Sequence, residues 1–418
     1  MATFNPGSVR LRSLTIAGIQ YDPAAVRELS ITESLMRSFQ TLEIIILDYN
    51  NNLNRFSGTG IEGGEDVVLV FDEANSGRIY STKLKLHSIG QQQNLPGNRA
   101  QAYMINAVGY TYYGNKVGGK VQHGFRNVTG SEAIKKIHDE YLSATDALFE
   151  VDPSRGFLGE LEPYIVSNQT PFEAIHTIRT RLTSDQYRTG AFCYYRDNTS
   201  YKLRQIEKMF AELSPQEVVT QDPTVGASIA DYRRVARNLI NYQSGTSFSG
   251  PGGFASPFTA FSADGRVHSN YFNFGESYNR GVQTDPSPAT VSGRTRFSRA
   301  PTDTTTPRQY NIFPGDPRLN RIDPIQDKSN DEFLYAATLM SGPSFTGQVM
   351  IDAGIKMTVG KGIFADLQAP IGAAGRATTD NSLKGNYLIV NLKHTLRFYN
   401  ISPMGITTFE AIRGGYNT

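Results

Sequence analysis

The chain has 418 residues, 19% of them charged, with a formal net charge of +2. With this near-neutral balance, no overall basic field points to nucleic acid as a high-affinity partner. No apolar run approaches the ~18 residues that a membrane-spanning helix needs, so we expect no membrane insertion. The single cysteine excludes an internal disulfide framework and any cysteine-based zinc site, and it fits assembly in a reducing cytoplasm.

Residues 1–128 are predicted to form a first β-barrel domain. Apolar and polar residues alternate over 80–87, the period of two that is typical of a half-buried strand. The apolar run within 43–48 predicts a strand that is covered on both faces. Further strands are predicted over 66–72 and 102–110. Successive strands without long helices between them indicate an antiparallel barrel or sandwich.

Residues 129–243 are predicted to form an α+β domain. Two capping boxes, at 129–132 and 170–173, each precede apolar residues at helical spacing. Two apolar runs within 192–206 flank a polar turn and predict a β-hairpin. Apolar positions within 229–240 predict a third amphipathic helix. We therefore expect helices and a hairpin in the middle of the chain.

Residues 244–330 are predicted to form an extended arm. Gly, Ser, Pro, Thr and Asn dominate this segment, with aromatic residues such as Phe254, Phe258 and Tyr271 between them. Because pure linkers lack aromatic residues, we expect the arm to dock on neighbouring subunits or partner proteins. The alternative is a disordered loop.

Residues 331–418 are predicted to form a second β-barrel domain. Glycines separate apolar runs in this region, as expected of tight turns or bulges between strands. The predicted strands are 348–353, 355–359, 363–367, 387–398 and 407–413.

No catalytic, cofactor-binding or metal-binding residue is predicted. The Gly-rich segment 58–63 matches a phosphate-loop pattern, but it precedes a predicted strand, and that motif requires a helix. We interpret it as a β-turn. Cys193 lies in an apolar strand pattern and is predicted to be a buried, inert thiol. We therefore expect no enzymatic activity and no cofactor.

The histidines and the acidic residues also lack the spacing of a site. The six histidines never occur at metal-ligand spacing, and His138 and His176 are predicted to be structural residues on helices. Asp152, Glu160 and Glu162 lie in a segment with Pro and Gly. We expect them to form a solvated surface; the alternative is a carboxylate pair.

Three groups of segments carry a resemblance to a known family. They lie at 33–39, 43–48 and 64–69, at 171–179, 192–195 and 201–207, and at 385–394 and 406–413. In their order and spacing they resemble the central baseplate hub proteins of contractile-tailed bacteriophages. This is the T4-like hub family, which is related to the hub part of type VI secretion spike proteins.

The resemblance implies a mainly β fold in which two tube-like antiparallel barrels flank the helix-containing middle segment. It also implies a structural baseplate hub in which three chains present six barrels. Such a homotrimer joins the six-fold tail tube to the three-fold central spike. The product is then a virion protein of the tail baseplate, assembled in the cytoplasm of the bacterial host.

The implied partners are two further copies of the chain, the tail tube or tube-initiator protein, a separate central spike protein and the surrounding wedge proteins. DNA is expected only in passage through the lumen. Two other functions stay open. One is a hexameric tail-tube initiator or another tail structural protein. The other is a polysaccharide-binding or polysaccharide-hydrolysing module, which needs an aromatic cleft with paired carboxylates.

Overall fold

The computed structural model describes residues 7–35, 37–49, 63–94, 101–142, 149–154, 157–159, 162–179, 182, 192–220, 232–245, 260–261, 267–273, 279–284, 311–315, 344–366, 384–398 and 403–412. The strands of these residues are β1 Val9–Ile16, β2 Ile19–Tyr21, β3 Val26–Ser34, β4 Thr41–Asp48, β5 Asp66–Glu73, β6 Ile79–Asn94, β7 Gln101–Val108, β8 Val121–Phe125, β9 Val128–Thr129, β10 Phe149–Val151, β11 Phe157–Leu158, β12 Tyr164–Gln169, β13 Phe192–Arg196, β14 Tyr201–Gln205, β15 Pro215–Thr220, β16 Asn241–Gly245, β17 Ala260–Phe261, β18 Val267–Asn273, β19 Asn279–Thr284, β20 Asn311–Gly315, β21 Ser344–Met350, β22 Gly362–Asp366, β23 Gly385–Arg397 and β24 Met404–Ile412. The helices are α1 Tyr110–Val117, α2 Gly130–Ile137, α3 Pro171–Arg179, α4 Ile206–Ala211, α5 Tyr232–Arg237 and α6 Ile351–Gly354, with a 3-10 turn at Pro23–Ala25 and a π-helical turn at His138–Leu142.

Thirteen of the described strands form one large sheet. Its main path runs β16–β21–β24–β23–β3–β4–β7–β6–β5–β1–β2, and β22 and β15 branch from β23. Every pair along the main path is antiparallel, whereas β15 and β22 are parallel. The prediction of a mainly β fold is confirmed.

The described strands do not form the two separate closed barrels that we predicted. Residues 391–397 of β23 pair with residues 28–34 of β3, so the C-terminal strands extend the N-terminal sheet. β24 occupies the other edge of β23. The physical reason for this arrangement is hydrogen bonding. The pairing satisfies backbone N–H and C=O groups of β3 that would otherwise remain unpaired at an open strand edge.

Each half of the sheet nevertheless covers a hydrophobic core of its own. The N-terminal core is completed by Ile351 and Leu396 from the C-terminal region. The C-terminal core includes Cys193 and Tyr195 from the middle of the chain. Neither core is therefore built from one contiguous stretch of sequence, and the two halves depend on each other for burial of apolar surface.

The middle of the chain contains the α+β region that we predicted. Both capping boxes are present: Thr129 and Glu132 exchange hydrogen bonds at the start of α2, and Thr170 and Glu173 do so at α3. The predicted hairpin is β13–β14, and β10 joins it in parallel. Helix α5 lies within the segment predicted for the third helix.

The hairpin lies between two hydrophobic clusters. Phe192 and Tyr194 belong to the cluster beneath α2 and α3, whereas Cys193 and Tyr195 belong to the C-terminal core. Since successive side chains of a strand point to opposite faces, the continuous apolar run of β13 is buried on both sides. The hairpin thus links the α+β region to the main sheet.

Four local predictions differ from the structure. The strand predicted over 348–353 ends at Met350, because α6 begins at Ile351. Residues 355–359 are not a strand, because α6 precedes them and the Ile355 amide donates to the Ile351 carbonyl at 2.7 Å, continuing a helical turn. Strand β4 is not covered on both faces, since Ile45 is 37% exposed. The strand predicted over 102–110 ends at Val108, and α1 follows it.

The described parts of the predicted arm contain regular structure. Strands β17 to β20 form a four-stranded sheet in which β18 is the central strand. The described strands of the arm therefore pair with each other, which an extended chain does not do.

Candidate functional site

A buried polar cluster lies where the turn of the β13–β14 hairpin meets the main sheet. Glu33 of β3 is 1% exposed. Its Oε1 accepts hydrogen bonds from Gln40 Nε2 at 2.8 Å and from Tyr80 Oη at 2.8 Å. Gln40 Nε2 also donates to the main-chain oxygen of Asp197 at 3.3 Å, and Gln40 Oε1 accepts from Thr82 Oγ1 at 3.2 Å. We call Glu33, Gln40, Tyr80 and residues 196–202 of the hairpin the junction cluster.

Two polar atoms of the junction cluster have no hydrogen-bond partner among the described residues. They are Glu33 Oε2 and Arg196 Nε, both buried. Burial raises the pKa of the Glu33 carboxyl from 4.5 to about 7. The Tyr80 and Gln40 hydrogen bonds and the Arg196 charge oppose this rise, and the Asp197 charge adds to it. The desolvation of a carboxylate outweighs its two hydrogen bonds here.

The hairpin side of the junction cluster contains a buried ion pair. Lys202 Nζ lies 2.8 Å from Asp197 Oδ2, and both side chains are at least nine-tenths buried. Asp197 Oδ1 accepts from the amides of Thr199 and Ser200, each at 2.8 Å, which closes the turn. The Arg196 guanidinium lies over the Tyr201 ring. The Asp197 side chain therefore holds the turn closed, and the Asp197 carbonyl oxygen accepts from Gln40.

The junction cluster was not predictable from patterns within the sequence. Its members come from β3, from the segment before β4, from β6 and from the hairpin, so no local spacing joins them. The one sequence signal is Glu33 at an inward-facing position of a strand whose other inward residues are apolar. An ionisable side chain at such a position requires partners from elsewhere in the fold.

Of the two histidines predicted to be structural, His138 is buried and His176 is exposed. His138 Nδ1 lies 2.7 Å from Tyr194 Oη, and burial lowers the His138 pKa to about 4. His176 lies on α3 beside Arg179, whose Nη2 is 3.1 Å from its Nδ1. A third histidine, His394 of β23, is also buried, with Nδ1 2.9 Å from Thr407 Oγ1.

The prediction of a solvated acidic surface is wrong for Asp152. This residue is 7% exposed. Its carboxylate accepts from Arg204 Nε at 2.9 Å, from the Gln205 amide at 3.1 Å and from Lys208 Nζ at 2.8 Å. Arg204 and Lys208 balance the charge of this carboxylate and also pair with Glu212, and together these contacts fix β14 and α4 beside the end of β10. Glu162 is exposed as predicted, and Glu160 lies outside the described residues.

None of the remaining candidate motifs forms a phosphate-binding, nucleophilic or metal site within the described residues. Residues 58–62 of the Gly-rich segment lie outside them, and strand β5 follows at Asp66 as predicted. Cys193 is buried, and burial raises the pKa of its thiol to about 11, which disfavours the reactive thiolate. No group of three or more His, Cys, Asp or Glu side chains in these residues could hold a metal ion. None of their helices is long and apolar enough to cross a membrane.

Binding surfaces of the described residues are the sheet edges and some exposed apolar side chains. Among the described strands, the path of the large sheet ends at β2 and at β16, and β15 pairs with β22 and, at Thr220 alone, with Asn238. On the β8–β12 ribbon, Ile165 is 69% exposed and pairs with Gly124, which gives it no cross-strand side chain. The exposed large apolar side chains are Ile45, Tyr49, Ile79, Val117, Phe157, Ile165 and Ile240.

The fold is similar to that of tail proteins of known structure. The tail protein from Neisseria meningitidis MC58 superposes with a TM-score of 0.58 at 11% identity, covering 98% of this chain and 97% of that chain. The 43 kDa tail protein of prophage MuSo2 from Shewanella oneidensis gives a TM-score of 0.55 at 10% identity, covering 97% and 98%. The similarity thus extends over nearly the whole of both chains.

A third similar structure is larger than this chain. It belongs to the Francisella PdpA–VgrG complex, with a TM-score of 0.53 at 9% identity, and it covers 99% of this chain but 53% of that chain. No family model and no curated protein sequence matches the chain. At these identities the comparisons establish the fold, which is that of phage tail proteins and of a VgrG-related chain.

Proposed function

We propose that this protein is the central baseplate hub of a contractile phage tail. In this role a homotrimer joins the six-fold tail tube to the three-fold central spike. The observation that carries the proposal is the similarity of fold to two tail proteins over 97–98% of each chain. A fold alone does not determine a function, and two further features of the chain suit this role.

The first feature is the pair of hydrophobic cores. One sheet covers two cores, one in each half of the chain. Three copies of the chain therefore contribute six halves of a sheet, each with its own core, and the ring retains three-fold symmetry. A closed ring of this kind can contact a six-fold tube on one side and a three-fold spike on the other.

The second feature is the set of sheet edges that have no strand partner among the described residues. Strands β2 and β16 end the path of the large sheet, and β15 pairs with β22 and, at Thr220 alone, with Asn238. Unpaired edges promote non-specific association unless another chain covers them. Neighbouring copies in a ring can cover these edges. The surface buried between copies is then expected to exceed about 2,000 Å², as in obligate assemblies.

We further propose the partners that this role requires. They are the tail tube or its initiator, the central spike protein and the wedge proteins around the hub. The net charge of +2 lets DNA pass through the lumen without strong retention. The arm over 244–330 is proposed to dock on one of these partners, and the protein itself is proposed to lack enzymatic activity.

The oligomeric state tests the proposal. Native mass spectrometry of the full chain, alone and with its spike protein, should give three copies, and cryo-electron microscopy of the tail end should show a three-fold ring at the tube–spike junction. Six copies in one ring would instead make the protein a hexameric tube initiator. A monomer in the mature particle would refute the hub function.

A second experiment separates the hub from the polysaccharide-directed alternative. The purified chain is incubated with peptidoglycan, and binding and release of soluble fragments are measured. The hub function predicts neither. Saturable binding or release of fragments would favour the polysaccharide module.

A further inference from the structure

The geometry of the Glu33 carboxyl matches a carboxylic acid better than a carboxylate. Both of its hydrogen bonds reach Oε1, from Gln40 and Tyr80, and the buried Oε2 has no hydrogen-bond partner among the described residues. A protonated acid accepts both bonds at its carbonyl oxygen and leaves only a neutral hydroxyl at Oε2 without an acceptor. The ionised form instead leaves a buried charge with one oxygen unsatisfied, which is costly.

The contacts of Gln40 connect this carboxyl to the hairpin. Its Nε2 lies within hydrogen-bond distance of Glu33 Oε1, Tyr80 Oη and the Asp197 carbonyl oxygen. Ionisation of Glu33 draws the Gln40 side-chain amide toward the Glu33 carboxylate. It also places a second negative charge near the Asp197 carboxylate. Both effects weaken the contact between the hairpin turn and the sheet.

We propose that Glu33 is a proton-controlled latch, which holds the β13–β14 turn on the main sheet while it is protonated and loosens the turn when it ionises. The latch concerns the contact between the α+β region and the sheet. It is independent of the partners that the protein binds.

Several charged or titratable groups surround the latch. Tyr80 faces Glu33 from β6, Asp197 and Arg196 face it from the hairpin turn, and Lys202 of β14 neutralises Asp197. His394 of β23 contacts the Tyr80 ring edge-on, with 5.6 Å between the ring centres. The pKa of His394 is lowered to about 4 and that of Tyr80 is raised well above 10, so neither changes charge between pH 6 and pH 8.

The direction of the pH effect follows from the Glu33 pKa. In the closed turn this pKa is about 7, against 4.5 for a solvated carboxyl. A raised carboxyl pKa means that the closed state binds the proton more tightly than the open state. Stability of the closed turn is therefore greatest at low pH and is lost as the pH rises through about 7. The closed-to-open ratio should fall about tenfold between pH 6 and pH 8.

Amide hydrogen exchange of the full chain measures this ratio. The reporter is the amide of Ser200, a residue that is 2% exposed in the closed turn and whose amide donates to Asp197. After correction for the intrinsic pH dependence of exchange, opening should increase about tenfold from pH 6 to pH 8. Glu33→Gln retains the shape of the protonated acid and should remove this increase. Glu28→Gln is the matched control on the same strand, where Glu28 pairs with Arg397 at 3.3 Å, and it should retain the increase.

A second variant tests the latch even if Glu33→Gln does not fold. The Tyr80 hydrogen bond lowers the Glu33 pKa, so Tyr80→Phe should move the midpoint of the opening curve to higher pH. Equal corrected opening at pH 6 and pH 8 in the unmodified chain would overturn the proposal. So would an unchanged pH dependence in Glu33→Gln, or an unmoved midpoint in Tyr80→Phe.

Discussion

At the scale of single residues, the close packing of α6 against β24 depends on a glycine. A Cβ atom at Gly354 would lie 1.8 Å from Thr407 Oγ1, far inside van der Waals contact. Thr407 is fully buried and contacts His394, so it has little room to move. We expect Gly354→Ala to lower the free energy of unfolding by about 1–3 kcal/mol, measured by urea denaturation. Gly124→Ala, where a Cβ meets no atom within 4 Å, is the matched control and should change it by less than about 0.5 kcal/mol.

A second residue-scale prediction concerns His394. Burial lowers its pKa to about 4, so the folded chain keeps the imidazole neutral while the unfolded chain protonates near pH 6.5. Stability should therefore decrease as the pH falls from about 6.5 to about 4, with this residue contributing on the order of 3 kcal/mol. His394→Gln should remove that part of the pH dependence of urea unfolding. Thr407→Val keeps the imidazole and should lower stability while retaining the pH dependence; a retained dependence in His394→Gln would contradict the assignment.

At the scale of elements, Asp152 fastens the hairpin to its neighbours. Its carboxylate binds Arg204 and Lys208, and it is largely buried. Asp152→Asn removes the buried anion that these cations share, because an amide carries no charge, and leaves them the half-exposed Glu212 carboxylate, 2.9 Å from Arg204 and 4.0 Å from Lys208. We expect a loss of about 2–4 kcal/mol in the free energy of unfolding, measured by urea denaturation.

The control for this prediction is the same kind of substitution, a carboxylate replaced by an amide, in an ion pair that is exposed rather than buried. Glu140 pairs with Lys136 on the surface, and both side chains are almost half exposed. Since exposed pairs contribute little, Glu140→Gln should change stability by less than about 0.5 kcal/mol. Equal effects of the two substitutions would show that Asp152 is not a buried ion-pair centre.

Local elements were predictable because their signals lie within a few residues. The capping boxes at Thr129 and Thr170 place side-chain acceptors three residues from the donors that they satisfy, and both begin helices as predicted. The hairpin turn around Asp197 was predictable for the same reason. Segment 355–359 misled the prediction, because apolar residues between glycines fit a short strand as well as a helical turn.

At the scale of the whole molecule, the long-range pairing could not be derived from local patterns. Ser30 Oγ and Thr395 Oγ1 lie 3.2 Å apart across β3 and β23, although 365 residues separate them in sequence. Strand propensity does not reveal which strand is the partner, so two strand-rich ends were interpreted as two barrels. The junction cluster escaped prediction for the same reason, since Glu33 and Asp197 meet only in the folded chain.

This pairing gives a prediction that distinguishes one shared sheet from two independent barrels. A fragment of residues 1–128 lacks β23, which pairs with β3, and lacks Ile351 and Leu396, which complete the N-terminal core. The exposed edge of β3 and the incomplete core should leave this fragment without a cooperative urea transition. Co-expression with residues 344–418 supplies both missing parts and should recover folded N-terminal strands, observed as protected amides in hydrogen exchange. A cooperative transition of the isolated fragment, with stability close to that of the full chain, would show that the N-terminal half is a self-sufficient barrel.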